Sequence, residues 1–135
     1  MTLASGMTTD LWMLGLFTLW GLVLIYVPAS GRLLSAGVAW GLGNRETRPE
    51  FAPWIGRAER ALTNHAENWP LFATAVVLVH LAGKGDALSA VACQVFLGAR
   101  MAHALLYLVG VVGARTLSYY VGVGAMFTVW SRLLI

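Results

Sequence analysis

The sequence predicts an all-α membrane protein, a single domain over residues 1–135 folded as an up-down bundle of four transmembrane helices. Three observations predict it. Of 135 residues, 59% are hydrophobic and only 11% charged, where soluble domains carry about 25% charged residues. A crossing helix needs roughly 20 mostly apolar residues, and four runs approach that, over about 11–40, 58–82, 87–112 and 116–134. The last three runs are joined by short turns, which favour antiparallel neighbours.

The first run, Leu11 to Ala29, has no charge and continues past Pro28 and Arg32 to about Trp40. No basic residue precedes it in Met1–Asp10, so it is expected to be a retained helix rather than a cleaved leader. Residues 43–60 hold Arg45, Glu46, Arg48, Glu50, Arg57, Glu59 and Arg60 with Pro49 and Pro53, and read as a loop. The second run, Ala61 to Ala82, is interrupted by Asn64, His65, Glu67 and Asn68. Gly83–Asp86 makes a turn, and the third run is interrupted by Arg100 and His103. Residues 113–115 form a second turn before the fourth run.

Nine basic and six acidic residues give a net charge of +3, too thin and dispersed for a nucleic-acid surface. Arg32, Arg45, Arg48, Arg57, Arg60 and Arg115 fall on the long-loop side, against Lys84 and Arg132 on the other. The positive-inside rule then places both termini outside. Cys93 is the only cysteine and reads as a small buried hydrophobe. His65 and His80 read as packed or interfacial, since no partner has metal-ligand spacing. The tryptophans are expected to be interface anchors and lipid-facing bulk. The glycines of 110–113 and 122–124 are expected to admit close helix approach.

Arg60, Asn64 and Glu67 are spaced i, i+4, i+7, and Arg100, His103 and Tyr107 are spaced i, i+3, i+7. Each set falls on one helix face. Arg115, Thr116 and Tyr119 open the fourth run, and all three groups lie toward the long loop. A charge within a span costs roughly 2.5–3.5 kcal/mol on insertion scales unless it is paired or wet. A closed pairing network, with Glu67 neutralising Arg100 or Arg60, is one reading. Glu67 can neutralise only one arginine, however, and the surplus of Arg60, Arg100 and Arg115 suits a carboxylate or phosphate gripped bidentately. Glu67 and Asn64 could hold an ammonium or amide of the same ligand.

The stretch Arg60-Ala61-Leu62-Thr63-Asn64-His65-Ala66-Glu67-Asn68-Trp69-Pro70-Leu71-Phe72 resembles the R-A-x-x-N-x-x-E-x-x-P-[LF]-F signature of the MAPEG family, the membrane-associated proteins in eicosanoid and glutathione metabolism. Ala99-Arg100-Met101-Ala102-His103 with Tyr107 resembles its A-R-x-x-H-x-x-x-Y pattern, and Arg115-Thr116-Leu117-Ser118-Tyr119 its R-[ST]-x-x-Y. The Gly43–Glu46 loop is similar to bacterial members. Two positions depart from the pattern: members often carry His or Gln where Leu62 stands, and some carry Arg where Thr63 stands.

The resemblance implies a homotrimer with glutathione as co-substrate between protomers, needing no metal, in membrane lipid and near the cytosolic face of a bacterial inner membrane. It implies Arg60, Asn64, Glu67, Arg100, His103, Tyr107 and Tyr119 as glutathione-binding residues. Arg115 and Thr116 are implied as catalytic, Arg115 lowering the thiol pKa as a nearby cation does. The activity implied is a transferase or peroxidase attacking a lipophilic small molecule. A non-catalytic scaffold or lipid-binding bundle is the alternative. A small proton-coupled exporter ranks last, because the first run lacks the membrane glutamate such a protein needs.

Overall fold

The computed structural model describes residues 6–135 and is all-helical. Residues 1–5, part of the segment read for a leader, lie outside the described residues. Helix α1 (Thr9–Ala36) opens on Thr8, whose hydroxyl accepts from the Leu11 N–H, with Asp10 in its first turn. A carboxylate there opposes the positive end of the helix dipole. Pro28 sits inside α1 and is buried. The expected continuation to Trp40 is broken at Gly37, whose φ of 87° ends α1 before a short helix, α2 (Val38–Leu42).

Helix α3 (Pro53–Leu81) starts well before the second apolar run. The expected loop therefore ends at residue 52, and Arg57, Glu59 and Arg60 are helical. Proline at the first helical position supplies a preset φ and gives up an N–H that has no partner there anyway. The proline that suggested a loop is instead a helix start. The loop itself is held by the Trp40 indole N–H donating to the Thr47 carbonyl at 2.7 Å and by Trp40 meeting Phe51 edge-on.

Helix α4 (Ala87–Val109) opens on a reciprocal capping box, in which Asp86 accepts from the Ser89 N–H and the Ser89 hydroxyl accepts from the Asp86 N–H. The Ser89 N–H, with Arg132 adding to it, holds the Asp86 carboxyl below its ordinary 3.8. Helix α5 (Gly113–Ser131) begins three residues earlier than the expected turn allows for, so Arg115 lies in its first turn.

Cross-contacts fix the directions. Arg32 near the end of α1 donates to Glu59 near the start of α3, and Asp10 accepts from Ser89, joining the starts of α1 and α4. Arg132 at the end of α5 pairs with Asp86 at 2.6 Å. The sequential long helices α1, α3, α4 and α5 thus run antiparallel. The mid-bundle core is aromatic: Phe72 stacks on Phe96 at 4.0 Å, and Phe17 meets both edge-on. Cys93 is fully buried among these residues. Trp20 and Trp130 also turn inward against the core rather than serving only as interface anchors.

Two of the four long helices, α1 and α4, are long and apolar enough to cross a membrane. The polar residues of the cluster dilute α3 and α5. Large apolar side chains nevertheless stand outward all round, Tyr26, Leu117 and Phe127 among them. A water-facing globule would not carry such an apolar exterior.

Helix α1 lies close against α3 at Gly21. A Cβ there would lie 2.5 Å from the Nε2 of buried His65, whose ring also packs on Phe17 at 4.2 Å. Overpacking of this kind costs about 1–3 kcal/mol. Gly21→Ala is therefore expected to lower the melting temperature in detergent. Gly15→Ala, with nothing within 4 Å of its Cβ, is the matched control and should not.

Candidate functional site

The polar residues gather at the long-loop end of the bundle, where α3 and α5 begin and α4 ends. Arg100 is 3% exposed, although it lies on a helix apolar enough to span a membrane. It fits because Gly122 of α5 lacks a side chain: a Cβ there would meet the Arg100 Cδ at 3.1 Å. Its Nη2 donates to the Asn64 side-chain oxygen, and its guanidinium lies 5.6 Å from the Tyr119 ring centre. Its Nε and Nη1 are buried without a hydrogen-bond partner.

His103, 5% exposed, turns its Nδ1 to the Arg115 carbonyl at 3.0 Å. A carbonyl can only accept, so Nδ1 carries the hydrogen. The other ring nitrogen, Nε2, is buried and unpartnered. The rings of Tyr107 and Tyr119 flank this imidazole at 5.6 and 5.8 Å. His103 thus ties the end of α4 to the first turn of α5 as well as facing the tyrosines.

Two further guanidiniums bear on Tyr107. Arg115 lies 4.3 Å from its ring centre and Arg60 5.9 Å, both within cation–π range. Neither forms a salt bridge among the described residues, and nor does Glu67, which is exposed on α3. The closed network in which Glu67 neutralises Arg60 or Arg100 is therefore not formed. The acid that does pair at this end is Glu59, with Arg32 at 2.5 Å and Arg48 at 3.9 Å.

The structure brings together Arg60, Asn64, Arg100, His103, Tyr107, Arg115 and Tyr119. Glu67 continues the Arg60 and Asn64 face of α3 but touches none of the cluster's cations. Thr116 is exposed, and its hydroxyl donates to the Val112 carbonyl of its own helix at 3.1 Å. Leu62 packs beside Leu24 and Ala61, while Thr63 is exposed with its hydroxyl on the Glu59 carbonyl. Arg57, absent from the sequence-derived set, donates its Nε to the Leu108 carbonyl at 2.9 Å. Its position three residues before Arg60, on the same helix face, was the available signal.

A sequence model of the MAPEG family matches residues 11–135, nearly the whole chain. The chain belongs to the MAPEG family. None of the curated proteins compared with it matches. MAPEG membership accords with the apolar exterior and makes this a membrane-associated protein of a glutathione- and eicosanoid-related family, one that includes transferases. Among the described residues no group of three or more His, Cys, Asp or Glu could hold a metal ion.

Proposed function

We propose that this MAPEG protein is a membrane-bound, glutathione-dependent transferase or peroxidase. In this reading it works as a homotrimer of four-span protomers in a bacterial inner membrane, with the arginine cluster facing the cytoplasm and glutathione between protomers. The observation that carries the reading is the buried Arg100 guanidinium with two nitrogens lacking partners. A buried polar group without a partner costs about 1–3 kcal/mol, and more when charged. An anionic ligand removes that cost.

Glutathione offers two carboxylates to Arg60 and Arg100 and an ammonium to the unpaired Glu67. Arg115 then stands by the sulfur and favours the thiolate, the nucleophilic form. The sulfur bonds to the electrophilic centre as the leaving group departs, or attacks the terminal oxygen of a hydroperoxide as the O–O bond breaks and the alcohol leaves. The second route gives a sulfenic acid that a second glutathione converts to the disulfide with release of water. The Thr116 hydroxyl, engaged within α5, is less suited than Arg115 to hold the sulfur. A groove of about 330 Å³ starts at Tyr119 and runs past Val123, Met126 and Phe127 to Trp130, with Asn68 on its wall. Its apolar lining suits a lipophilic substrate arriving from the bilayer.

Titration calorimetry in detergent tests the reading. Wild-type protein is expected to bind glutathione, and Glu67→Gln to bind about tenfold more weakly, the worth of one charge-assisted hydrogen bond. Absence of binding by the wild type sinks the proposal. Turnover with a model aryl halide and with a lipid hydroperoxide then separates conjugation from peroxide reduction.

A further inference from the structure

Helix α4 ends on Gly110, which adopts a left-handed φ of 84°. The last four carbonyls of a helix have no partner within it. Here Leu106 accepts from the N–H groups of Gly110 and Val111, and Tyr107 accepts from Gly110. The Leu108 carbonyl is served by a different element: Arg57, in the second turn of α3, donates its Nε to it at 2.9 Å. The same side chain lies over the turn, its Nε 3.6 Å from where a Cβ on Gly110 would be.

This places one cation at the negative end of α4, where the dipole favours it. Tyr107 immediately precedes the capped residue, and Arg115 follows the turn in the first helical turn of α5. His103 Nδ1–H on the Arg115 carbonyl is the other tether across this hairpin. The 4.3 Å separation of Arg115 from the Tyr107 ring therefore depends on how α4 ends, and α3 sets that ending through Arg57.

We infer that Arg57 is a positioning residue: by capping α4 it fixes the offset between Tyr107 and Arg115, and so the placement of the cation beside the substrate thiol. The inference rests on the functional reading above, and its test is arranged so that the two fail differently. Arg57→Ala, Arg57→Gln and Arg57→Lys are compared with wild type for glutathione affinity, for turnover, and for the ultraviolet absorbance of the bound thiolate against pH. Small misplacements of catalytic groups cost up to about 100-fold.

Arg57→Ala is expected to lose about 10- to 100-fold in turnover while its glutathione affinity changes by less than about threefold. Its thiolate midpoint should rise by about one pH unit, a tenfold smaller thiolate fraction. Lysine, which keeps a cationic donor, should recover part of both. If the alanine variant does not fold, the same comparison is read on the glutamine variant. Wild-type turnover and thiolate titration in the variant overturn the inference. So does a loss of affinity as large as the loss of turnover, which would make Arg57 a direct ligand.

If wild type binds no glutathione, the functional reading fails, and hydrogen exchange of residues 106–116 still decides whether Arg57 holds the hairpin. Faster exchange there in Arg57→Ala, with the start of α4 unchanged, supports it. Unchanged exchange overturns it.

Discussion

Arg115→Ala is expected to lower thiol-transfer turnover by about 100- to 1000-fold, the usual loss on removing one preorganised group that stabilises developing or resident negative charge. Three observations make this the largest effect at the site. Arg115 is only partly exposed and forms no salt bridge among the described residues, so its charge is not already spent on a protein acid. Its backbone is fixed, because the carbonyl accepts from both the His103 ring and the Ser118 hydroxyl. Its guanidinium is held against the Tyr107 face at 4.3 Å, which directs it without consuming its in-plane donors. Glutathione affinity should change far less, since in the proposed site Arg60 and Arg100 still meet the carboxylates. Arg115→Lys keeps the charge but loses the planar stack, so partial turnover is expected. Stopped-flow thiolate absorbance and steady-state turnover in detergent check both variants. A turnover within threefold of wild type for Arg115→Ala would remove Arg115 from the mechanism and leave the scaffold reading favoured.

The helical class, the antiparallel order and most of the polar cluster were legible in the sequence because they depend on short-range period. Arg60, Asn64 and Glu67 share a face by spacing alone, and so do Arg100, His103 and Tyr107. Boundaries were less legible. Pro53 signals a loop and a helix start equally well, and only the packing of Ile55 and Ala58, both buried, decides for the helix. Gly37 is one glycine among many, and nothing local marks it as the break in the first run. Pairing was the least legible. A closed network with Glu67 neutralising Arg60 or Arg100 was one reading of the charge count, whereas Glu67 forms no ion pair among the described residues. Glu59 pairs with Arg32 and Arg48, outside the cluster, because it lies on the side of α3 that faces Arg32. Arg57 was counted among loop charges because its partner is a backbone carbonyl 51 residues away, which leaves no trace in side-chain pattern. The Asp10–Ser89 bond at 2.6 Å, which joins the starts of α1 and α4, was invisible for the same reason of sequence distance.

Arg100→Met is expected to divide stability from binding. In the ligand-free protein the Arg100 guanidinium is buried with one side-chain partner, Asn64, and two nitrogens unsatisfied. Desolvating such a charge costs several kcal/mol, and replacing buried ionic groups by apolar ones of similar volume is often neutral or stabilising by about 1–4 kcal/mol. Methionine fills much of the space beside Gly122 and Tyr119 and imposes no charge. Asn64 loses its donor, but it is only half-buried and water can replace the bond. Unliganded Arg100→Met should therefore melt at or above the wild-type temperature. Glutathione should stabilise the wild type by mass action and the variant scarcely at all, because the variant lacks the buried fork that the proposed site offers the ligand's carboxylate. An affinity loss of about 10- to 100-fold follows from the roughly 1.5–3 kcal/mol carried by a hydrogen bond to a charged group. Melting curves with and without saturating glutathione read both effects in one experiment. If the variant melts well below wild type and yet gains the same stabilisation from glutathione, Arg100 is structural, and the anion site must be assigned to Arg60 and Arg115 alone. A variant more stable than wild type and insensitive to glutathione means that the bundle keeps a costly buried charge for its ligand rather than for its fold.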